Sequence, residues 1–243
     1  EQDSIWFTAQ NEETGWNDAL DYTAEKLSAL KTKYGPETII RLGGSGTCRG
    51  ALHNTSRLTQ RFLNCFGGYT ETTGSYSSAA VSFATPFVYG TSNAAIDAGS
   101  LMHSKFILLL GANIADLRFG CELFNRLKFL AESGVKIITV DPRRSRTVTD
   151  LGSEWVKINP GTDSAFIAAI IHNLIEHGGI DYDYIEKYTH GFDDYKDWLY
   201  TPPVKDAAWA ETVCGTPAES IAAVAECYRK YRPAALIPGL SIQ

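Results

Sequence analysis

The sequence predicts an α/β fold of the Rossmann-like type, a doubly wound and mostly parallel sheet with helices on both faces. A short apolar run, Phe106–Leu110, ends at a glycine, which is typical of a parallel strand covered on both faces. Residues 119–133 then place apolar side chains at helical spacing, and residues 135–140 form a β-branched run. Strand, helix and strand in that order indicate a βαβ unit.

The segment before this unit is predicted to hold two helices and one strand. An amphipathic helix is expected over residues 18–34, with Asn17 as its cap. A strand follows at 38–42 and leads into the glycine-rich sequence 43–46. A second helix is expected over 53–66, where two glycines follow its last residue.

The segment after the βαβ unit is predicted to be mainly helical. A capping box is expected at residues 216–219, because Thr216 is followed three positions later by Glu219. The other expected elements are a strand at 155–158, a helix at 164–177, short helices at 181–188 and 195–199, a helix after residue 217, and a final strand at 234–237.

The composition is that of a globular protein, with 44% hydrophobic and 21% charged residues among 243. The formal net charge of −6 argues against a nucleic-acid partner. It leaves room for a local basic pocket formed by Arg143, Arg144 and Arg146. No apolar run approaches the length of a membrane span.

The five cysteines are odd in number and show no CxxC spacing. We therefore expect reduced, mostly buried thiols rather than a disulfide framework, a zinc site or an iron–sulfur motif. The chain starts at Glu1, and its one methionine is Met102. We expect one α/β domain over residues 1–243 that is truncated from a larger protein.

Polar or glycine residues follow three of the predicted strands. Because the carboxyl ends of parallel strands meet at one edge, ligands bind there, and three such loops together favour a nucleotide-containing ligand. Taken singly, each loop also has a simpler explanation. Residues 111–113 fit a plain strand-to-helix turn, residues 141–143 fit a solvated turn with surface arginines, and residues 160–163 fit a helix cap. The predicted site residues are Gly111, Ala112, Asn113, Asp141, Pro142, Arg143, Gly161, Thr162 and Asp163.

Residues 69–91 show no clear period, and long irregular segments of compact domains are often functional. Ser75, Ser77 and Ser78 lie in this segment. A Ser-His-Asp hydrolase would use such a serine, but the G-x-S-x-G elbow is absent, and a polar loop explains the serines equally well. A nicotinamide site is disfavoured because the sequence lacks GxGxxG.

The sequence resembles the molybdopterin oxidoreductases of the dimethyl sulfoxide reductase family in several short motifs that follow the same order along the chain. The resemblance is greatest to the catalytic subunit of the anaerobic enzymes. Each motif is short, but their order and spacing make the resemblance specific. The motifs are LNCFGGY at 63–69, GSYS at 74–77, PFVYGT at 86–91, GAN at 111–113, VDPR at 140–143, PGTD at 160–163 and YTHGF at 188–192.

The resemblance implies molybdenum held by two molybdopterin guanine dinucleotides, with this chain as the Rossmann-like domain that binds one of them. Asp163 would contact the guanine, beside Gly161 and Thr162. Asp141 and Arg143 would lie along the ribose and diphosphate, and residues 111–113 would line the same crevice. Ser77, in a loop at about 67–91, would be the protein's catalytic oxygen ligand to molybdenum, a hard ligand suited to a high-valent metal.

The resemblance also implies an enzyme that takes an oxygen atom from a sulfoxide or N-oxide in anaerobic respiration. Its partners would be that small molecule, an iron–sulfur electron-transfer subunit and a membrane-anchor subunit, at the periplasmic or extracytoplasmic membrane face. The family's cysteine cluster for a [4Fe–4S] centre is absent from these residues, so either it belongs to a preceding segment or the protein lacks it. The isolated chain is expected to be inactive.

Three alternatives stay open at this point. A member of the same superfamily could act on a different substrate, by hydroxyl transfer or dehydrogenation. A nicotinamide dehydrogenase would need a phosphate-binding loop that the sequence lacks. The isolated chain could also act as a non-catalytic nucleotide-binding module.

Overall fold

The structure is a computed structural model that describes residues 6–7, 13–42, 54–73, 79–91, 97–117 and 122–239. The chain divides into two compact units, Glu1–Ala79 and Ala80–Gln243. Each unit is described by itself.

The described part of the first unit contains two small sheets and two long helices. Strands β1 (Trp6–Phe7) and β2 (Glu13–Thr14) pair antiparallel, and β3 (Ile40–Arg41) pairs in parallel with β4 (Thr70–Glu71). Helix α1 spans Trp16–Tyr34, and helix α2 spans Thr55–Phe66.

Two details of the first unit differ from prediction. Gly15 is the cap of α1, so Asn17 lies inside the helix, and the predicted cap is wrong. The predicted strand at 38–42 is shortened to β3 because a 3-10 turn occupies Pro36–Thr38. The glycine-rich sequence 43–46 lies outside the described residues.

Helix α3 spans Ala79–Tyr89 and was not predicted. It falls in the segment 69–91, for which the sequence shows no period. The physical reason is its composition: α3 is apolar on all sides, so no polar face alternates with an apolar one, and Pro86 lies in its interior.

The second unit is built on a four-stranded parallel sheet with strand order β7-β6-β5-β8. Phe106–Leu110 forms β5 with the predicted bounds, and all five of its residues are buried. The other strands are β6 (Lys136–Val140), β7 (Glu154–Val156) and β8 (Ala234–Pro238).

Helices cover both faces of this sheet, which confirms the predicted doubly wound fold. One face packs against α6 (Asp163–Glu176), α9 (Ala207–Cys214) and α10 (Ala218–Lys230), around Phe106, Leu108 and Phe166. The other face packs against α4 (Glu122–Glu132) and α5 (Arg146–Leu151), around Ile107, Leu109 and Leu127. The two remaining helices are α7 (Tyr182–Tyr188) and α8 (Phe192–Tyr200).

The chain order places a switch point between β5 and β8. From β5 the chain steps through β6 to β7 on one side, and it returns through α6–α10 to β8 on the other side of β5. Crevices that bind ligands in open α/β sheets lie at the carboxyl ends of strands at such a point.

Helices α5 and α9 were not predicted, and the capping box at Thr216 is wrong. Pro217 is the cap of α10, and the Thr216 hydroxyl instead donates to the Lys157 carbonyl at 2.7 Å, which ties α10 to the segment after β7. Among the described residues, no helix combines the length and apolar character needed to cross a membrane.

Candidate functional site

The three predicted loops lie at one edge of the second unit's sheet. The Gly111 N–H donates to the Val140 carbonyl at 2.9 Å, and the Asp141 N–H donates to the Val156 carbonyl at 3.1 Å. The segment after β7 continues from that edge to Asp163, the first residue of α6. The structure therefore places eight of the nine predicted residues in the loops that follow β5, β6 and β7, and the ninth, Asp163, at the first position of α6.

Gly239 closes the switch point and was not among the predicted site residues. Its N–H donates to the Leu110 carbonyl at 2.7 Å. A Cβ built on Gly239 would lie 2.2 Å from the Gly111 carbonyl oxygen, a distance that no real side chain tolerates. Gly111 itself adopts a positive φ of 61°. The backbones at Gly111 and Gly239 are therefore too close for a side chain at position 239. The sequence signal for this close approach was the glycine directly after the last strand.

The side chain of Asn113 makes hydrogen bonds to other residues of the chain. Its Oδ1 accepts hydrogen bonds from the Thr147 hydroxyl at 2.7 Å and from the Thr147 N–H at 3.4 Å, and its Nδ2 donates to Asp116 at 2.6 Å. Thr147 is fully buried, and its oxygen also accepts from the Ala115 N–H at 2.9 Å. The Asn113 side chain therefore joins the turn after β5 to the start of α5.

Asp141 combines one satisfied and one unsatisfied carboxylate oxygen. Oδ1 accepts from the Arg143 N–H at 3.0 Å and shapes the turn, while Trp155 Nε1 donates to the Asp141 carbonyl at 2.9 Å. Oδ2 is buried and has no hydrogen-bond partner in the described part of the chain, and neither has the hydroxyl of Ser145 in the same loop. Buried polar atoms without partners are rare, and each calls for an explanation such as a ligand.

The three arginines of the predicted basic pocket separate into two groups. Arg146 forms ion pairs with Asp150 at 3.0 Å and Asp116 at 3.7 Å. Arg143 and Arg144 are exposed, and within the described ranges no ion pair or hydrogen bond engages their guanidinium groups. In the described part of the chain, two guanidinium groups without an ion-pair partner therefore lie next to the carboxyl end of β6.

At the start of α6, neither Thr162 nor Asp163 makes a side-chain capping hydrogen bond. Thr162 is the cap residue by its backbone, but its hydroxyl donates to the Asn159 carbonyl at 2.7 Å and does not cap the helix. Asp163 is half-buried, and no partner in the described part of the chain engages its carboxylate. Thr162 therefore occupies the cap position that the alternative expects, but no side-chain hydrogen bond caps the helix.

Other predicted features lie away from this edge or outside the description. Ser75, Ser77 and Ser78 lie outside the described residues. A cavity of about 540 Å³ between α7 and α8 is lined by His190, Phe192 and Asp194 and by none of the predicted site residues. Across the described ranges, no three His, Cys, Asp or Glu side chains converge as a metal site requires. Of the described cysteines, Cys214 is buried, Cys227 is half-buried and Cys65 is exposed.

A polar network in the first unit was not anticipated from sequence. Glu71, at the end of β4, accepts from Arg41 Nη2 at 2.6 Å, from the Tyr69 hydroxyl at 2.7 Å and from Gln60 Nε2 at 3.3 Å. The hydrogen bonds from Arg41, and next those from Tyr69, lower the pKa of Glu71 to about 2. The network joins the carboxyl ends of the parallel strands β3 and β4.

The parallel sheet, with helices on both faces, defines a Rossmann-like α/β fold. Solved structures agree: acetylene hydratase from Pelobacter acetylenicus shares this fold with a TM-score of 0.64 at 23% identity, and the match covers 94% of this chain and 30% of that one.

Comparison of sequences gives the family. The molybdopterin oxidoreductase family model matches residues 10–243, and the chain belongs to this family, which confirms the resemblance seen in the motifs. The family implies a molybdenum and molybdopterin cofactor.

Curated relatives include a trimethylamine-N-oxide reductase of Haemophilus influenzae, 34% identical over 89% of this chain and 28% of its own length. A dimethyl sulfoxide/trimethylamine N-oxide reductase of Rhodobacter capsulatus is 31% identical over 94% of this chain and 29% of its own length. A dimethyl sulfoxide reductase of Haemophilus influenzae is 30% identical over 92% of this chain and 31% of its own length. The chain thus spans less than a third of the length of these relatives.

Proposed function

We propose that this chain is the segment of a molybdenum-dependent oxidoreductase that binds one molybdopterin guanine dinucleotide, and that the whole protein takes an oxygen atom from a sulfoxide or N-oxide. The observation that carries the proposal is the set of unpaired polar groups at the carboxyl edge of the sheet. Within the described residues, Arg143, Arg144 and Asp163 have no side-chain partner there, while the neighbouring Asn113 and Arg146 are engaged by other side chains of the chain.

The free groups fit the parts of a guanine dinucleotide. A carboxylate accepts two parallel hydrogen bonds, so Asp163 suits guanine N1 and N2, with Gly161 and Thr162 beside it. The guanidinium of Arg143, joined by that of Arg144, suits a diphosphate. Asp141 Oδ2 offers an acceptor for a ribose hydroxyl, which would satisfy an atom that has no partner in the described part of the chain.

The backbone supplies the shape of the site. Gly111 and Gly239 bring two strand ends together, so the ligand would rest on the main chain of residues 111–113 beside Pro142. When bound, the molybdenum cofactor supplies the two-electron oxygen-atom transfer. The role of this chain is to hold the dinucleotide and fix its orientation.

Ser77 is proposed as the protein's oxygen ligand to molybdenum, on the family motif alone, since it lies outside the described residues. The substrate class rests on the names of the relatives, which are reductases of dimethyl sulfoxide and trimethylamine N-oxide. An iron–sulfur subunit, a membrane-anchor subunit and a [4Fe–4S] centre are proposed for the whole protein on the same family grounds.

The test uses the full-length protein purified under anaerobic conditions. We expect molybdenum and, after acid hydrolysis, guanine nucleotide, together with oxidation of a reduced viologen dye by sulfoxides or N-oxides. Ser77→Ala should retain the guanine nucleotide while the rate with sulfoxide falls sharply, because the serine would act on the metal and not on the nucleotide. A protein without guanine nucleotide would contradict the binding proposal. An alanine variant with an unchanged rate would contradict the ligand proposal.

A further inference from the structure

Helix α3 (Ala79–Tyr89) is apolar along its whole length and yet exposed. Its eleven residues include no charged side chain, and its polar side chains are Ser82 and Thr85. None of its residues is buried, and Phe83 and Phe87 are 73% and 80% exposed. A helix that is hydrophobic on all sides is normally found in a protein core or a membrane.

The apolar side chains of α3 point in more than one direction. Phe83 and Phe87 are four positions apart, and their ring centroids lie 5.3 Å from each other, so they share one side of the helix. Val81 and Val88 are seven positions apart and lie on a different side, and Tyr89 is also exposed. A covering partner must therefore surround the helix rather than touch a single stripe.

Two occupants fit this surface poorly. Eleven residues make a helix about 16 Å long, which is about half of the roughly 30 Å of a bilayer's hydrocarbon core. A second copy of this chain in a two-fold dimer would apply one self-complementary patch, which covers one side of the helix.

We infer that α3 is enclosed by the part of the same polypeptide that lies outside these 243 residues. The matched relatives are more than three times as long as the segment they share with this chain, so enough polypeptide exists to surround a helix. The helix would act as an apolar core element that joins this chain to the rest of the protein. The inference rests on the proposed function in one respect, namely that the chain is a segment of a longer oxidoreductase.

Hydroxyl-radical footprinting of the full-length protein measures the inference directly. The reaction rates of Phe83 and Phe87 are compared with two references in the same sample. Phe106, which is fully buried in β5, gives the rate of a core phenylalanine, and the urea-unfolded protein gives the rate of an exposed one. We expect Phe83 and Phe87 to react at least about tenfold more slowly in the folded protein than in the unfolded one, close to Phe106.

Photocrosslinking then identifies the occupant. With benzoylphenylalanine in place of Phe87, we expect intramolecular cross-links to peptides of the same polypeptide outside residues 1–243. Cross-links between two copies, or protection that appears only at high protein concentration, would overturn the inference in favour of a dimer. Protection that requires lipid vesicles would overturn it in favour of a membrane contact, and rates near those of the unfolded protein would overturn it outright.

Molybdenum and guanine nucleotide are measured on the same preparation. Protection of Phe87 in a protein that lacks both would support the enclosed helix while contradicting the proposed cofactor. Loss of protection of Phe87 in a protein that holds molybdenum and guanine nucleotide would support the proposed cofactor and contradict the enclosed helix.

Discussion

Replacing Asn113 tests whether its side chain is a structural link rather than a ligand contact. Asn113→Ala removes the acceptor of the Thr147 hydroxyl and of the Thr147 N–H, and Thr147 is fully buried. A stranded buried donor together with a lost hydrogen bond costs roughly 2–4 kcal/mol of unfolding free energy. For a protein of this size, we expect the melting temperature to fall by roughly 4–15 °C.

Thermal and urea unfolding of the purified chain, followed by circular dichroism, provide the assay. Asn125→Ala is the matched control, because Asn125 is exposed on α4, and it should change the unfolding free energy by no more than about 0.5 kcal/mol. A cycle with Thr147→Val should give a coupling energy of about 0.5–3 kcal/mol between the two sites. If Asn113→Ala is as mild as Asn125→Ala, or if the coupling is zero, the link between the two loops does not exist.

Two further predictions concern the switch point and the first unit. Gly239→Ala should lower the unfolding free energy by about 1–3 kcal/mol, because its Cβ would collide with the Gly111 carbonyl. Gly15→Ala, whose Cβ would meet open space, should cost less in the same denaturation assay, because it changes only the cap preference at the start of α1. The pKa of Glu71 is lowered to about 2 from 4.5, so its stabilising contribution is present above pH 4.5 and is lost as the pH falls toward 2. The melting temperature should therefore fall less steeply between pH 6 and pH 2 for Glu71→Gln than for the parent chain. The control Glu132→Gln, on the exposed side of α4, should follow the parent chain. A Glu71→Gln curve parallel to that of the parent chain would refute the role of the network.

Sequence patterns predicted β5 and β6 well because these two strands are buried on both faces. Phe106–Leu110 is apolar at every position, so its bounds agree with the structure residue for residue. Helix α3 escaped prediction for a related reason, since it has no polar face and periodicity therefore gave no signal. The capping box at Thr216 failed because the hydroxyl binds the Lys157 carbonyl, a partner 59 positions away that no local pattern reveals.

The location of the candidate site followed from topology, but the state of its side chains did not. That three loops share one edge is fixed by parallel strands and could be predicted from residue order. Whether Asn113 or Arg146 is available to a ligand depends on Thr147, Asp150 and Asp116, whose positions only the folded chain determines. The roles of the nine predicted residues in cofactor binding, and that of Ser77, stay predictions.

The central claim is that the carboxyl edge of this sheet recognises guanine through Asp163. Calorimetric titration of cofactor-free protein with GDP tests this claim. The test variant is Asp163→Asn, and the control variant is Asp193→Asn, which makes the same change in the first turn of α8. We predict saturable binding that prefers GDP to ADP and is weakened roughly 10- to 150-fold by Asp163→Asn alone, the equivalent of about 1.5–3 kcal/mol for a hydrogen bond to a charged group. Equal affinity for GDP and ADP, or an Asp163→Asn variant that binds GDP like the unmodified protein, would contradict the account.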